Sequence, residues 1–443
     1  MVKLWRIFFV IPFLFWVSVI ISTAVETTEP QMSQKSKDDL YSQIELFSYA
    51  LTTIQSEYVD EKTPKDLIYG SLKGMLSSLD PHSQFLEPED YAELKTETQG
   101  KFGGLGIEIS IRDGLLTIVT PLEDTPAWRA GLQAGDRIVK IENELTKEMG
   151  LNEAVKKLRG EPGTKVTIAI LREEEFKIHE YTITREIIKI QDVKDTMILE
   201  EEIGYIRLTE FREDTHKEVR NALEQLKQQG ADSLILDLRN NPGGLLNVAI
   251  RITEEFLPSG ETIVSTKGRH VSQDTVTKSK NATHLIDWPM VVLINEGSAS
   301  GSEILAGALK DNKRAIIVGS KSFGKGSVQS VIPLPDGSGL RLTTSKYLTP
   351  SGVSIHGTGI TPDIEIKRTI PKENDEKANK KQKIDDVFGD VELHDAEDKT
   401  KFEKNKKEKD AREKLLGDNQ IQGAISVIKG IKVYRNFASP PAG

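Results

Sequence analysis

Two short segments carry side chains able to make and break a covalent bond. The first, Glu296-Gly297-Ser298-Ala299-Ser300-Gly301-Ser302-Glu303, follows an apolar run and opens a helical pattern. A serine at such a junction sits beside the unpaired N–H groups and the positive end of a helix. The amide of Gly301 would face an oxyanion formed beside Ser300. The second segment is Phe323-Gly324-Lys325-Gly326-Ser327-Val328-Gln329. Glycines on both sides of Lys325 let its backbone take an unusual path and its side chain enter a crowded site. A lysine acts there as a base only if burial and neighbours bring its pKa down from about 10.4. Each segment also has a plainer reading. Ser298, Ser300 and Ser302 suit a helix cap, and Lys325 suits a surface loop.

Other patterns narrow the chemistry. Seven histidines are scattered without an HExxH pair or a GxSxG elbow, so a Ser-His-Asp arrangement has no local support. Ser322-Phe323-Gly324-Lys325 spells SxxK, the arrangement of penicillin-binding proteins, but the SDN and KTG elements are absent. Lys325 is followed by Gly326 rather than by the hydroxyl residue of a phosphate-binding Walker loop. Arg239-Asn240-Asn241-Pro242-Gly243-Gly244 follows the most apolar strand and opens a helix, which suits close backbone approach and anion binding. Gly104-Leu105-Gly106-Ile107 is a second glycine loop. Its free N–H groups at Leu105, Gly106 and Ile107 could receive a carboxylate next to a strand edge.

These segments need elements to hold them. From 203 to 367 apolar strands alternate with amphipathic helices, which predicts an α/β layer fold with helices covering a sheet. Ser300 and the Gly243-Gly244 turn then fall at strand–loop–helix junctions, where such folds place ligands. Residues 100–186 carry short β-rich runs and one helix near 152–158, the pattern of a compact, mostly β domain. Apolar spacings of three and four predict helices over 37–91. Residues 371–409 are dense in charge and read as a solvated linker. Periodic apolar residues return over 411–434, predicting a terminal docking helix.

The chain has 443 residues, 37% of them hydrophobic, a formal charge of −9 and no cysteine. Thiolate catalysis, thiolate zinc sites and disulfides are excluded, and the acidic balance argues against a nucleic-acid partner. No metal site or cofactor is expected. Lys3 and Arg6 precede the uncharged stretch 7–25, and Ser22 and Ala24 have the small-residue spacing of a cleavage site. This predicts a signal peptide or a retained membrane anchor, and a chain delivered across the membrane.

Taken together, the set resembles the C-terminal processing (tail-specific) proteases, a Ser–Lys peptidase family. The resemblance runs from about residue 46 to 363. It rests on Leu79-Asp80-Pro81-His82-Ser83, on the glycine loop at 103–109 with the Pro126-Ala127-Trp128 stretch, and on three protease motifs in order: 236–244, 297–303 and 324–329. It implies a crotonase-like α/β core (187–370) after an N-terminal helical region (37–98) and a PDZ domain (99–186); beyond it, composition and apolar spacing give the charged linker at 371–410 and a helical segment at 411–443. It implies Ser300 as nucleophile, Lys325 as general base, Gln329 as the residue orienting that lysine, and Gly244 and Gly301 as oxyanion donors. The PDZ domain would bind substrate C-termini and gate the protease. Partners would be protein substrates, an activator and a further copy of the chain, on the periplasmic side of the inner membrane. A catalytically inactive envelope PDZ scaffold is the rival, and acyl transfer at Ser322 a second.

Overall fold

The computed structural model describes residues 34–122, 124–172, 177–280, 286–369 and 409–438. The expected signal or anchor at 1–25 and nearly all of the charged linker lie outside the described residues. Among the described residues no helix is long and apolar enough to cross a membrane. The chain forms two compact units, 1–71 and 72–443.

In the first unit the Gln34–Glu57 helix carries exposed Leu40, Tyr41, Ile44 and Phe47. The next helix, Pro64–Ser77, starts at a reciprocal cap. Thr63 Oγ1 accepts from Asp66 N–H, and Asp66 accepts from Thr63 N–H. Pro64 at the first helical position costs no hydrogen bond.

The second unit opens with a departure from the helical reading of 37–98. Gln84–Leu86 is a strand, and it pairs antiparallel with Gly339–Leu348. Helix Pro88–Gln99 follows, ended by Gly100 in the left-handed region. A two-stranded ribbon, Lys101–Gly104 with Glu186–Lys189, brackets the β-rich domain. Inside it the strands Ile107–Arg112, Leu115–Pro121, Arg137–Ile141, Lys165–Arg172 and Lys177–Thr184 form one antiparallel sheet in that order. The Leu151–Leu158 helix covers its core of Leu116, Ile118, Ile138 and Ile168.

The remaining sheet is six-stranded, in the order Val193–Ile198, Ile203–Leu208, Ser233–Asp237, Met290–Ile294, Ile316–Gly319, Ile364–Glu365. All but the first pair are parallel. Side chains alternate across it. Leu234, Leu236, Val292 and Ile294 face the helices Thr215–Gln228, Leu246–Glu254 and Gly301–Asp311. Ile235, Val291, Leu293 and Val318 face the other way. That second face is covered by the Asn419–Ala438 helix, whose Ile421, Ala424, Ile425 and Ile428 are buried at helical spacing. Each buried isoleucine there stabilises the docking by about 1.5–3 kcal/mol. Arg239 adds a polar tie, since it pairs with Asp237 and reaches Asp418 at 2.9 Å.

A further antiparallel sheet was not anticipated from the strand–helix alternation. It joins Thr262–Gly268, Thr275–Lys278, Ser327–Pro333 and Gly339–Leu348 to Gln84–Leu86. It carries Gln329 and lies directly after Lys325.

Candidate active site

The two strand–loop–helix junctions are braced against each other by one backbone bond and a set of side-chain bonds. Asn241 is fully buried; its Nδ2 donates to Leu208 O, and its carbonyl accepts from Ala299 N–H and Ser302 Oγ. Asn295 Oδ1 accepts from Asn240 N–H, and Asn295 Nδ2 donates to Asn240 Oδ1. Ser298 Oγ donates to Leu238 O at 2.8 Å. Ser298 and Ser302 therefore hold the loops together, and the segment leaves Ser300 for another task.

Ser300 has φ +51° and ψ −109°, a region that non-glycine residues seldom occupy and that surrounding structure must enforce. The enforcing group is Glu303, one turn into the helix and fully buried. Its Oε2 accepts from Ser300 N–H at 2.8 Å and from Lys325 N–H at 2.9 Å. Its Oε1 accepts from Ser322 Oγ at 2.6 Å and from Gly324 N–H at 2.7 Å. One carboxylate thus fixes both segments singled out by their chemistry. Burial pushes its carboxyl above the usual range, while the four donors pull it back. In the sequence Glu303 is an acidic residue in a first helical turn, which is ordinary helix chemistry and carries no signal of this role.

Lys325 is half-buried and lines the same cleft, of about 600 Å³, as Ser300, Gly244, Gln329, Arg341 and Tyr347. Burial lowers its pKa first, the nearby Arg341 guanidinium lowers it further, and Glu303 opposes both. Its Nζ has no hydrogen-bond partner among the described residues. The hydrogen bond expected from Gln329 is not made. Gln329 Nε2 instead donates to Thr343 Oγ1 at 2.7 Å and Ser327 Oγ at 3.2 Å. Its Oε1 is buried and unpartnered. A bulge between Val328 and Gln329 supplies the bent path that a straight strand lacks.

The glycine turn lies against the serine. A Cβ on Gly243 (φ +101°) would come within 2.7 Å of Gly301 N and 2.8 Å of Ser300 Cβ. Gly243 N–H is held by Asn241 Oδ1. Phe211 N–H donates to Gly243 O, and Leu245 N–H donates to Phe211 O. Bonds on either side of Gly244 therefore face Phe211, and the Gly244 N–H points the other way. Neither it nor Gly301 N–H has an acceptor among the described residues. The turn thus packs against Ser300, and the bond to Asn241 distinguishes the engaged Gly243 N–H from the Gly244 N–H.

The SxxK serine is placed elsewhere. Ser322 is buried, donates to Glu303 and accepts from Ile360 N–H at 2.6 Å. In the β-rich domain Leu105 is buried and Gly106 has φ +76°. The carbonyls of Leu105 and Gly106 bind Ala127 N–H and Leu122 N–H. Their own N–H groups have no acceptor among the described residues. Ile107 begins the edge strand of the sheet.

Family models match three parts of the chain: Peptidase family S41 at 202–366, PDZ domain at 117–172, and Activating protease CtpB N-terminal domain at 13–90. A carboxy-terminal-processing protease of Bartonella bacilliformis is 42% identical over 81% of this chain and 83% of its own length. A carboxyl-terminal-processing protease of Synechocystis sp. is 44% identical over 68% and 71%. The solved structure of a photosystem II D1 C-terminal processing protease is 30% identical over 74% of this chain and 93% of that one, with a TM-score of 0.43.

Proposed function

The chain belongs to the carboxyl-terminal processing proteases of peptidase family S41, serine-type peptidases with a PDZ domain, and from that premise we propose that Ser300 is its nucleophile and Lys325 its general base. The observation that carries this reading is a conformationally constrained serine in the cleft that holds Lys325, flanked by the Gly244 and Gly301 N–H groups, which have no acceptor among the described residues. Neutral Lys325 takes the Ser300 proton as Oγ bonds to the scissile carbonyl carbon. The carbonyl oxygen becomes an oxyanion held by the two amides. The C–N bond then breaks, the Lys325 ammonium protonates the leaving amine, and a Ser300 ester remains. Water, deprotonated by the same lysine, hydrolyses that ester. Gln329 Oε1, buried and without a partner in this structure, is the acceptor that would aim Lys325 once the two side chains approach.

A serine-reactive phosphonate probe tests this directly. The expected result is one covalent adduct, mapped to Ser300 by mass spectrometry and absent in Ser300→Ala. An adduct on Ser322, or continued cleavage by a chain whose Ser300 is blocked, would overturn the assignment. No adduct and no cleavage would favour the inactive scaffold.

Protein substrates are held by their C-termini in the loop Leu105, Gly106 and Ile107, the terminal carboxylate meeting the free N–H groups and the preceding residues pairing with the edge strand. A peptide with an apolar, free C-terminus is expected to bind at least about tenfold more tightly than its amidated form, a difference of about 1.4 kcal/mol. Equal affinities by calorimetry would refute the loop as the carboxylate site. The basic flank and uncharged stretch at 7–25 support delivery to the cell envelope, on the periplasmic side of the inner membrane, by signal peptide or anchor. An activator and a further copy of the chain are the partners proposed for the N-terminal region, whose first helix exposes Leu40, Tyr41, Ile44 and Phe47.

A further inference from the structure

We propose that the Asp80-Pro81-His82-Ser83 turn is a positioning element for the catalytic lysine, acting through Ser83 and Thr343 on the amide of Gln329. The inference rests on the reading of Gln329 as the acceptor that aims Lys325.

The turn is built around one carboxylate. Asp80 Oδ1 accepts from His82 N–H at 2.7 Å and Ser83 N–H at 2.8 Å, and Oδ2 accepts from Ser83 Oγ at 2.7 Å. Burial pushes the Asp80 carboxyl up, but the hydrogen bonds from Ser83 and His82 outweigh it and bring the pKa to about 2. Asp80 is therefore an acceptor only. The single Ser83 hydroxyl proton is directed to it, and the Ser83 oxygen is left as an acceptor. That oxygen receives Thr343 N–H at 3.2 Å and lies 3.5 Å from Thr343 Oγ1. The Thr343 side chain also bonds the Asp80 carboxylate and helps to lower its pKa; with its proton directed to that acceptor, Thr343 Oγ1 presents a lone pair to Gln329 Nε2 at 2.7 Å. Ser327 Oγ takes a second contact from the same nitrogen. The amide is held with its nitrogen on the strand, and Oε1 remains the buried, unpartnered acceptor of the cleft. A flipped amide would set its NH₂ group toward the Lys325 side and remove that acceptor.

The same segment holds the second group that acts on Lys325. Arg341 Nε donates to His82 O at 3.2 Å, and Arg341 Nη2 donates to Gln84 Oε1 at 2.9 Å. Arg341 and Thr343 stand two residues apart on one strand, paired with Val331 and Gln329, so they share one face of the sheet, and Arg341 lines the cleft. The charged and titratable groups that act on Lys325 are Arg341 and Glu303, with His82, Tyr91, Lys95, Glu97, Glu210, Arg212, Glu213 and Tyr347 further round the cleft.

Thr343→Val removes the oxygen and keeps the shape; Ser83→Ala removes the previous link. Each is expected to lower kcat about tenfold with KM within about twofold. Loss of an acceptor disfavours the ammonium, so the rise of kcat with pH should move to lower pH. Thr343→Ser should restore both readouts. Gln329→Ala should be at least as impaired, and Thr343→Val added to it should cost nothing more. Wild-type kcat and pH profile in Thr343→Val and Ser83→Ala, with Gln329→Ala impaired, would overturn the relay alone. A wild-type Gln329→Ala would overturn the reading of Gln329 and the relay with it. A lowered Tm without any change in pH profile would also reject the proposal. Should Thr343→Val fail to fold, Ser83→Ala decides the question.

Discussion

Ser300→Ala and Lys325→Ala are each expected to lose about 10⁴-fold or more of kcat/KM toward an unstructured protein with an apolar C-terminus, and the double variant is expected to be no worse than either alone. Groups that act as one unit in covalent catalysis behave this way. Lys325→Arg should be as inactive as the alanine variant, because a guanidinium does not release its proton. In the native enzyme kcat should rise with pH through the lowered pKa of Lys325, since only the neutral amine accepts the serine proton. The sign for stability is the reverse. Burial and Arg341 depress the folded-state pKa below the unfolded value of 10.5. The charged lysine therefore costs stability fully below the folded pKa, and the cost fades as pH rises toward the unfolded one. Lys325→Met should accordingly raise Tm at neutral pH, with the gain shrinking as the pH nears the unfolded pKa. Steady-state kinetics and a set of melts across pH check both signs. Residual cleavage near wild type in either alanine variant would reject the pair.

Glu303→Gln is expected to be nearly as damaging to rate and to cost stability as well. The carboxylate receives four donors, and an amide can receive only those facing its oxygen. The remaining donors would confront an NH₂ group. Each buried donor left unpaired costs about 1–3 kcal/mol, so a loss of about 2–6 kcal/mol is expected from melts. The catalytic loss should fall on kcat, about 10²-fold, because Ser300 and Lys325 lose their common anchor while the walls of the cleft stay. Removing the negative charge also removes what raises the Lys325 pKa, so the rise of kcat with pH should shift to lower pH. Unchanged kcat in a folded Glu303→Gln enzyme would show that the clamp is not needed.

Much of this was legible in the sequence because it is local. The serine after a buried strand, the lysine between glycines and the Asn-Asn-Pro-Gly-Gly turn each carry their chemistry within a few residues. Their order along the chain gave the set its meaning. What escaped was long-range. Glu303 reads as ordinary helix chemistry until Ser322, Gly324 and Lys325 fold onto it. Gly243 and Gly244 are indistinguishable as letters, and only the bonds to Asn241 and Phe211 separate them. The antiparallel sheet was invisible because its strands come from distant parts of the chain, and strand pairing leaves no sequence signal at that range. For the same reason Gln84–Leu86 was absorbed into a helical region. Ser322 was a misleading match, since its hydroxyl is engaged on both sides.

The pairing of Gln84–Leu86 with Gly339–Leu348 also bears on when the molecule can become dangerous to its own kind. Ser83 and Thr343 are 260 positions apart, and contacts of that separation carry a large loop-closure cost and form slowly. The lysine loop, its strand partner and the Asp80 turn must all be in register before Gln329 is held. If Gln329 aims the base as proposed, a copy in which these contacts have not formed lacks an aligned lysine. Proteolytic activity would then arise only late in folding, after the most distant pairing in the chain of contacts has closed.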